Sequence, residues 1–271
     1  MNLPQVKLSQ GIHVMHLFYR INRVAWAALP TETSMETRRR LETICSANAN
    51  ASHPRVSVFA NISGKADIAV MILASELGTA AQLHRDIEHA FPPGILVPIY
   101  QYFSVTELSE YTSSEEDHRK NLVEREKVSA DSEELTKKME EFRQRMTEYA
   151  HYRLYPELPD WEVMCFYPMN KRRLGTDNWY TLDFPTRKNL MGGHARVGRK
   201  YSGRVSQLIT GSVGLDDWEW GVTLVAHQVD PLKEIVYEMR FDEVSARFGE
   251  FGPFYLNLRL TPEALWAHFH L

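Results

Sequence analysis

Cysteine is scarce in this chain: Cys45 and Cys165 stand far apart, and neither belongs to a Cys-x-x-Cys pair or to the Cys/His spacing of a zinc site. A disulfide framework and structural zinc are therefore not implied, and both thiols are expected to behave as small buried hydrophobes. Also missing is any uninterrupted apolar run of the ~18 residues that a membrane helix needs, so no membrane span is expected. The opening Met-Asn-Leu-Pro-Gln-Val-Lys-Leu-Ser-Gln has no apolar stretch of signal-peptide length, and a cytoplasmic location is the expectation. Nor does the chain carry an excess of positive charge. Its 31 Lys and Arg against 35 Asp and Glu argue against nucleic acid as the main partner, because phosphate binding needs a broad cationic surface.

What is present is a soluble-type composition, 44% hydrophobic over 271 residues, enough for one large domain or two smaller ones. Runs rich in β-branched and aromatic residues predict strands at 11–21, 55–62, 67–73 and 95–105, with helices over 31–48 and 75–90. The order repeats further on, with strands at 162–167, 205–210, 219–226 and 254–260 and helices over 185–199 and 231–241. Two tandem βαββαβ units are the pattern of duplicated ferredoxin-like halves, so the expected fold is α+β, a barrel or sandwich. The expected division is 1–108, a linker loop and connecting helix over 109–151, and a second half over 152–271. Residues 109–131, rich in Glu, Ser, Lys and Arg, read as a mobile loop or linker. Asp131 with Glu134 offers a capping box for a following helix, whose stripe of Leu135, Met139, Phe142, Met146 and Tyr149 would pack on the second half.

Positive charge is concentrated in one place. Between Tyr167 and Arg204 there are nine cations, Lys171, Arg172, Arg173, Arg187, Lys188, Arg196, Arg199, Lys200 and Arg204, against only Asp177 and Asp183. Set among them are a phenol (Tyr167), an imidazole (His194) and an amide (Gln207). Each has an ordinary reading: a core tyrosine, a surface histidine, a strand glutamine facing water. Together they have the chemistry to hold and oxidise an anionic ligand, since cations neutralise carboxylates beside an oxidisable ring and a neutral imidazole ligates heme iron. Arg153 adds a cation just before the second half. Asp216 and Asp217, adjacent on an extended chain, point apart and do not read as a metal site.

The motifs Tyr167-Pro168-Met169-Asn170-Lys171-Arg172, Asn178-Trp179-Tyr180, His194 through Gln207, Thr210-Gly211-Ser212 through Gly221, and Tyr237 through Gly252 resemble the chlorite dismutase superfamily. Within it the resemblance is to the coproheme decarboxylases. It covers nearly all of 152–258, whereas the first half is similar only in element order.

The resemblance implies His194 as proximal iron ligand and Tyr167 as the tyrosine that becomes a radical and attacks propionates. It implies Gln207 as the distal amide, Arg153, Lys171 and Ser245 as propionate contacts, Met169 as a pocket-lining residue, and Arg199 as a further propionate contact. Chlorite dismutases carry a distal arginine where this sequence has Gln207, which argues against chlorite chemistry. His151 lies near the place where another branch supplies a distal histidine, although its register does not match. The implied activity is peroxide-dependent conversion of two propionates of Fe-coproporphyrin III (coproheme) to vinyls, giving heme b through a three-propionate intermediate. A homopentamer and a transient contact with ferrochelatase are also implied. A heme-binding or trafficking protein without turnover, or a heme peroxidase of the same superfamily, is the alternative.

Overall fold

The computed structural model describes residues 3–49 and 53–271. The first half contains strands β1 (His13–Ile21), β2 (Arg55–Asn61), β3 (Ile68–Ala74) and β4 (Leu96–Thr106), and helices α1 (Arg23–Ala27), α2 (Thr31–Ala47) and α3 (Leu77–His89). Helices α4 (Glu115–Glu124) and α5 (Glu133–Leu154) follow. The second half has β5 (Val163–Lys171), α6 (Phe184–Arg199), β6 (Ser206–Gly211), β7 (Trp220–Ala226) and α7 (Val229–Met239). It ends with α8 (Glu243–Phe248), β8 (Gly249–Phe251), β9 (Tyr255–Arg259) and α9 (Pro262–Phe269).

Strand order explains the sequence repeat. The sheet runs β7-β6-β4-β1-β3-β2-β9-β5-β8, and β7 also pairs with β5, so every strand but β8 belongs to a closed antiparallel ring. The quartets β4-β1-β3-β2 and β9-β5-β7-β6 have the same internal order, that of a ferredoxin-like unit. They join through three residue pairs between β2 and β9 and two between β4 and β6. The α+β expectation of two fused ferredoxin-like units therefore holds. Closure leaves the barrel strands with two buried faces, which is why β1 and β5 read as nearly continuous apolar runs.

Alternation along each strand separates three cores. Val14 and Phe18 of β1, Met164 and Phe166 of β5, Leu208 of β6 and Val225 of β7 fill the barrel. Leu17, Tyr19 and Ile21 of β1 face outward onto the first-half helices, together with Leu41 and Cys45 of α2. Val163, Cys165 and Tyr167 of β5, with Val222 and Leu224 of β7, face outward against Val197 of α6 and Ile235 of α7. Both cysteines are buried, as expected.

Several local expectations are corrected. Residues 109–131 are not a structureless linker, because α4 starts there with a capping box in which Ser114 and Asp117 exchange side-chain and backbone hydrogen bonds. The cap of α5 is Ser132, whose hydroxyl accepts from the Leu135 N–H at 3.1 Å, and not Asp131. The α5 stripe packs on α4, with Leu135 and Met139 against Leu122 and Val128, and Phe142 stacks on His118 at 4.1 Å. Leu122, inside a polar stretch, is the anchor that turns the stripe away from the second half, and Tyr149 is left exposed.

β5 does not stop at Tyr167 but continues through Pro168 to Lys171. It tolerates the proline because its outer partner changes there: β9 pairs with residues up to Phe166, and β8 pairs from Met169 onward. The Pro168 carbonyl accepts from Gly252 N–H at 2.9 Å in the gap between the two, so the missing proline donor faces the same gap. Gly252 is required there, since a Cβ would lie 2.7 Å from Pro168 Cγ.

Candidate functional site

The side chains Cys165, Tyr167, Met169 and Lys171 share the outward face of β5, and Gln207 and Ile209 share the same face of β6. Register places Tyr167 opposite Val222 and Val222 opposite Ile209, while Leu224 lies between Cys165 and Gln207. Tyr167 and Gln207 are thus on one surface, one strand apart, at a spacing of about 10 Å between β5 and β6. Above that surface lie α6, which carries His194 and Arg199, and α7.

α6 begins on an Asp183 cap, which accepts from the Thr186 N–H at 2.8 Å, and on Pro185 in its first turn. None of its residues is fully buried. Gly198 brings the helix close to the sheet: the Gln207 Nε2 donates to the Gly198 carbonyl at 3.2 Å, and a Cβ there would lie 3.5 Å from the same nitrogen.

His194 Nδ1 lies 2.8 Å from Asp242 Oδ2, and the same oxygen accepts from the Ser245 hydroxyl at 2.8 Å. Asp242 is also the cap of α8, its Oδ1 accepting from the Val244 N–H at 3.0 Å. Burial would raise the Asp242 carboxyl, but the hydrogen bonds from His194 and Ser245 hold it below its ordinary value, so it stays an anion. A carboxylate on Nδ1 leaves Nε2 as the lone-pair nitrogen, the arrangement in which an imidazole ligates metal. His194 keeps 27% of its side-chain surface exposed while Asp242 keeps 8%. Asp242 was not singled out in the sequence. Its signal was the Asp-Glu-Val-Ser run, an N-cap pattern that also pairs Asp with a hydroxyl three residues on.

Tyr167 is 4% exposed and stacks on Phe254, ring centroids 4.4 Å apart, with Phe251 at 5.9 Å. Burial and then Cys165 raise its phenol well above the ordinary value, against a downward pull from Arg240, so it is held neutral. Lys171 is 9% exposed, and its Nζ sits 4.9 Å from the Trp179 ring centroid. Burial lowers its amine to about 8, opposed by Asp242 and Glu219. Trp179, a residue to which the sequence alone assigns no role, packs edge-on against Phe248 at 5.3 Å.

The remaining candidates stand further out. Met169 is half-buried at the rim of the same cluster. The Ser245 hydroxyl is committed to Asp242, leaving its lone pairs to accept. Arg153, at the end of α5, donates to the Glu107 carbonyl at 3.4 Å, and its buried Nε has no hydrogen-bond partner among the described residues. Arg199 is exposed on the last turn of α6. His151 is exposed beside Tyr155, at 5.5 Å, and makes no contact with the Tyr167 cluster among the described residues.

The chain has counterparts among known proteins. The sequence profile of the chlorite dismutase family matches residues 34–260. A protein from Thermus thermophilus, described as a novel heme-binding protein, is 34% identical, with a TM-score of 0.79 over 100% of this chain and 99% of that one. A variant chlorite dismutase from Candidatus Nitrospira defluvii is 16% identical, with a TM-score of 0.71 over 97% of this chain and 98% of that one, a likeness of fold alone. With a family match spanning most of its length and a full-length relative at 34% identity, the chain belongs to the chlorite dismutase family.

Proposed function

We propose that this protein is a coproheme decarboxylase, converting two propionates of Fe-coproporphyrin III to vinyls at the expense of hydrogen peroxide. The observation that carries the reading is the convergence of an Asp242-oriented His194, a buried neutral phenol at Tyr167 and a buried amine at Lys171 on one side of the second-half sheet. The residues suit an anionic porphyrin: iron already held by a macrocycle needs one oriented imidazole, and Lys171, Arg153 and Arg199 offer cations for propionates. The Arg153 Nε without a partner fits an acceptor supplied by a ligand.

Bound coproheme supplies, through its iron, the two-electron reduction of peroxide. Tyr167 contributes a neutral phenol that gives up one electron and its proton; as a radical it takes a hydrogen atom from the β-carbon of a propionate and is restored. Loss of carbon dioxide and a second electron leaves the vinyl. Each round balances as one propionate, one peroxide and one proton giving one vinyl, carbon dioxide and two waters. Lys171, as an ammonium, orients the reacting carboxylate. Gln207, an amide where chlorite dismutases carry arginine, provides a hydrogen bond without a fixed charge, which disfavours chlorite chemistry. Met169 lines the pocket, Ser245 adds a hydroxyl, and residues 152–271 form the porphyrin-binding half, after a first half over 1–108 and a connecting segment over 109–151. Assembly as a homopentamer, a cytoplasmic location and a transient contact with ferrochelatase belong to the same proposal. Among the described residues no helix is long and apolar enough to cross a membrane.

A second reading, heme binding without turnover, is favoured by the description of the Thermus relative. Mass analysis of the porphyrin after peroxide is added to the coproheme complex separates the two, and an oxygen electrode with chlorite tests the dismutase alternative.

A further inference from the structure

Glu219 lies just before β7 and is only 6% exposed. Its carboxylate gathers donors from three sides. Oε2 accepts from the backbone N–H of Lys171 at 3.2 Å and from the Tyr180 hydroxyl at 2.7 Å, while Oε1 lies 3.5 Å from Arg173 Nη1. Its own N–H donates to Asn170 Oδ1 at 2.8 Å, so the two strands stay tied beyond the last ladder pair, Met169 with Trp220. A buried carboxylate is costly unless its lone pairs are used. Here they are used on two pieces of chain that both bear on one side chain.

The first piece is the end of β5 at Lys171 itself. The second is the short 3₁₀ turn Trp179–Thr181, in which Tyr180 follows the residue whose ring underlies the Lys171 ammonium. The contacts form a closed circuit. It runs from the Lys171 ammonium to the Trp179 ring, along the chain to Tyr180, through its hydroxyl to Glu219, and back to the Lys171 backbone. Other ties hold the intervening loop to α8: the Arg172 N–H donates to the Phe248 carbonyl at 2.8 Å, and Arg247 donates to Asp177 at 3.0 Å. Glu219 joins the turn to the barrel strands through side chains, in addition to the Trp179 N–H, which donates to the Arg172 carbonyl at 2.9 Å just past the end of β5.

We propose that Glu219 is a positioning residue for Lys171, pinning the end of β5 and the Trp179 turn together so that the ammonium is held over the indole face. The role in turnover rests on the decarboxylase reading; the tie itself does not. The charge acts in the same sense as the geometry, since Glu219, after Asp242, opposes the effect of burial on the Lys171 amine.

Two variants and two readouts test this. Glu219→Gln keeps the shape and removes the charge, and Tyr180→Phe removes one hydrogen bond from a half-open side chain. In the full-length, porphyrin-free protein, amide hydrogen exchange across 172–181 should rise about tenfold in either variant, the size of one lost hydrogen bond to a charged group, while β1 to β4 keep their protection. In peroxide-driven turnover of coproheme, Glu219→Gln should shift the alkaline limb of the pH–rate profile to lower pH. Tyr180→Phe should lower kcat about tenfold with the KM for peroxide unchanged. Unchanged exchange in both variants overturns the tie. Raised exchange with an unmoved alkaline limb and unchanged kcat overturns the positioning of Lys171. If the wild-type protein leaves coproheme intact, the decarboxylase reading fails and the exchange data alone judge Glu219.

Discussion

His194 and Asp242 meet at 2.8 Å, Nδ1 to Oδ2, across the space between α6 and the cap of α8. This pair fixes the ring tautomer and turns Nε2 outward. Replacing Asp242 with Asn keeps an acceptor and removes the charge, and the account predicts coproheme affinity or turnover reduced by about 10–100-fold. A spectrophotometric titration with coproheme measures it, and His194→Ala should produce a larger loss with an altered iron absorption band. Equal binding by wild type and both variants would remove His194 from the iron site.

Tyr167→Phe keeps the ring on Phe254 and removes the oxidisable hydroxyl. As a near volume-conserving change in a buried cluster it should cost under about 1.5 kcal/mol of stability. Coproheme should still bind, and peroxide should no longer yield vinyl groups. Chemical denaturation and product mass read the two effects independently; near wild-type turnover by the Phe variant would end the radical role.

Lys171 gives two pH trends of opposite sign. Its amine is lowered from 10.5 to about 8 by burial, so between those values the unfolded chain holds a proton that the folded one has released. Stability from this group therefore rises as pH climbs through that window. Propionate binding falls over the same rise, because the ammonium is lost above about 8. Lys171→Met should flatten both trends, as followed by denaturation midpoints and coproheme titrations at stepped pH.

His16, wholly buried in the barrel, stacks on Phe166 at 4.1 Å, and its Nε2 is 2.8 Å from Thr223 Oγ1. Burial lowers its imidazole from 6.5 to about 3, so below 6.5 the unfolded state takes up a proton that the folded state refuses. Stability must fall as pH drops through that range. His16→Gln, which retains a hydrogen-bonding end for Thr223, should show a shallower acid dependence of its unfolding midpoint.

Sequence and structure agree best where one segment carries both the local pattern and the partners. The strands of both quartets were legible because their β-branched and aromatic runs are interrupted by turns, although the face shared by Tyr167, Met169 and Lys171 was hidden by Pro168, which reads as the end of a strand at Tyr167 whereas β5 runs on to Lys171. Asp242 and Glu219 were not, since each acts on residues distant in sequence, His194 and Tyr180, and an acidic residue beside a helix or turn reads as a solvated charge. The polar 109–131 segment hid α4 because its few apolar residues, Leu122 and Val128, are completed by Leu135 and Met139 on α5. α9 was missed although Thr261 followed by Pro262 is an N-cap signature, its hydroxyl accepting from the Ala264 N–H at 3.2 Å.

The central claim is the reaction itself, and porphyrin mass spectrometry tests it most directly. With coproheme bound and peroxide added stepwise, the account predicts a transient three-propionate porphyrin and then a product lighter by two carboxyl groups, each lost with one hydrogen. A porphyrin that keeps all four propionates, while the protein binds heme b as tightly as coproheme, would contradict it and leave a heme-binding protein.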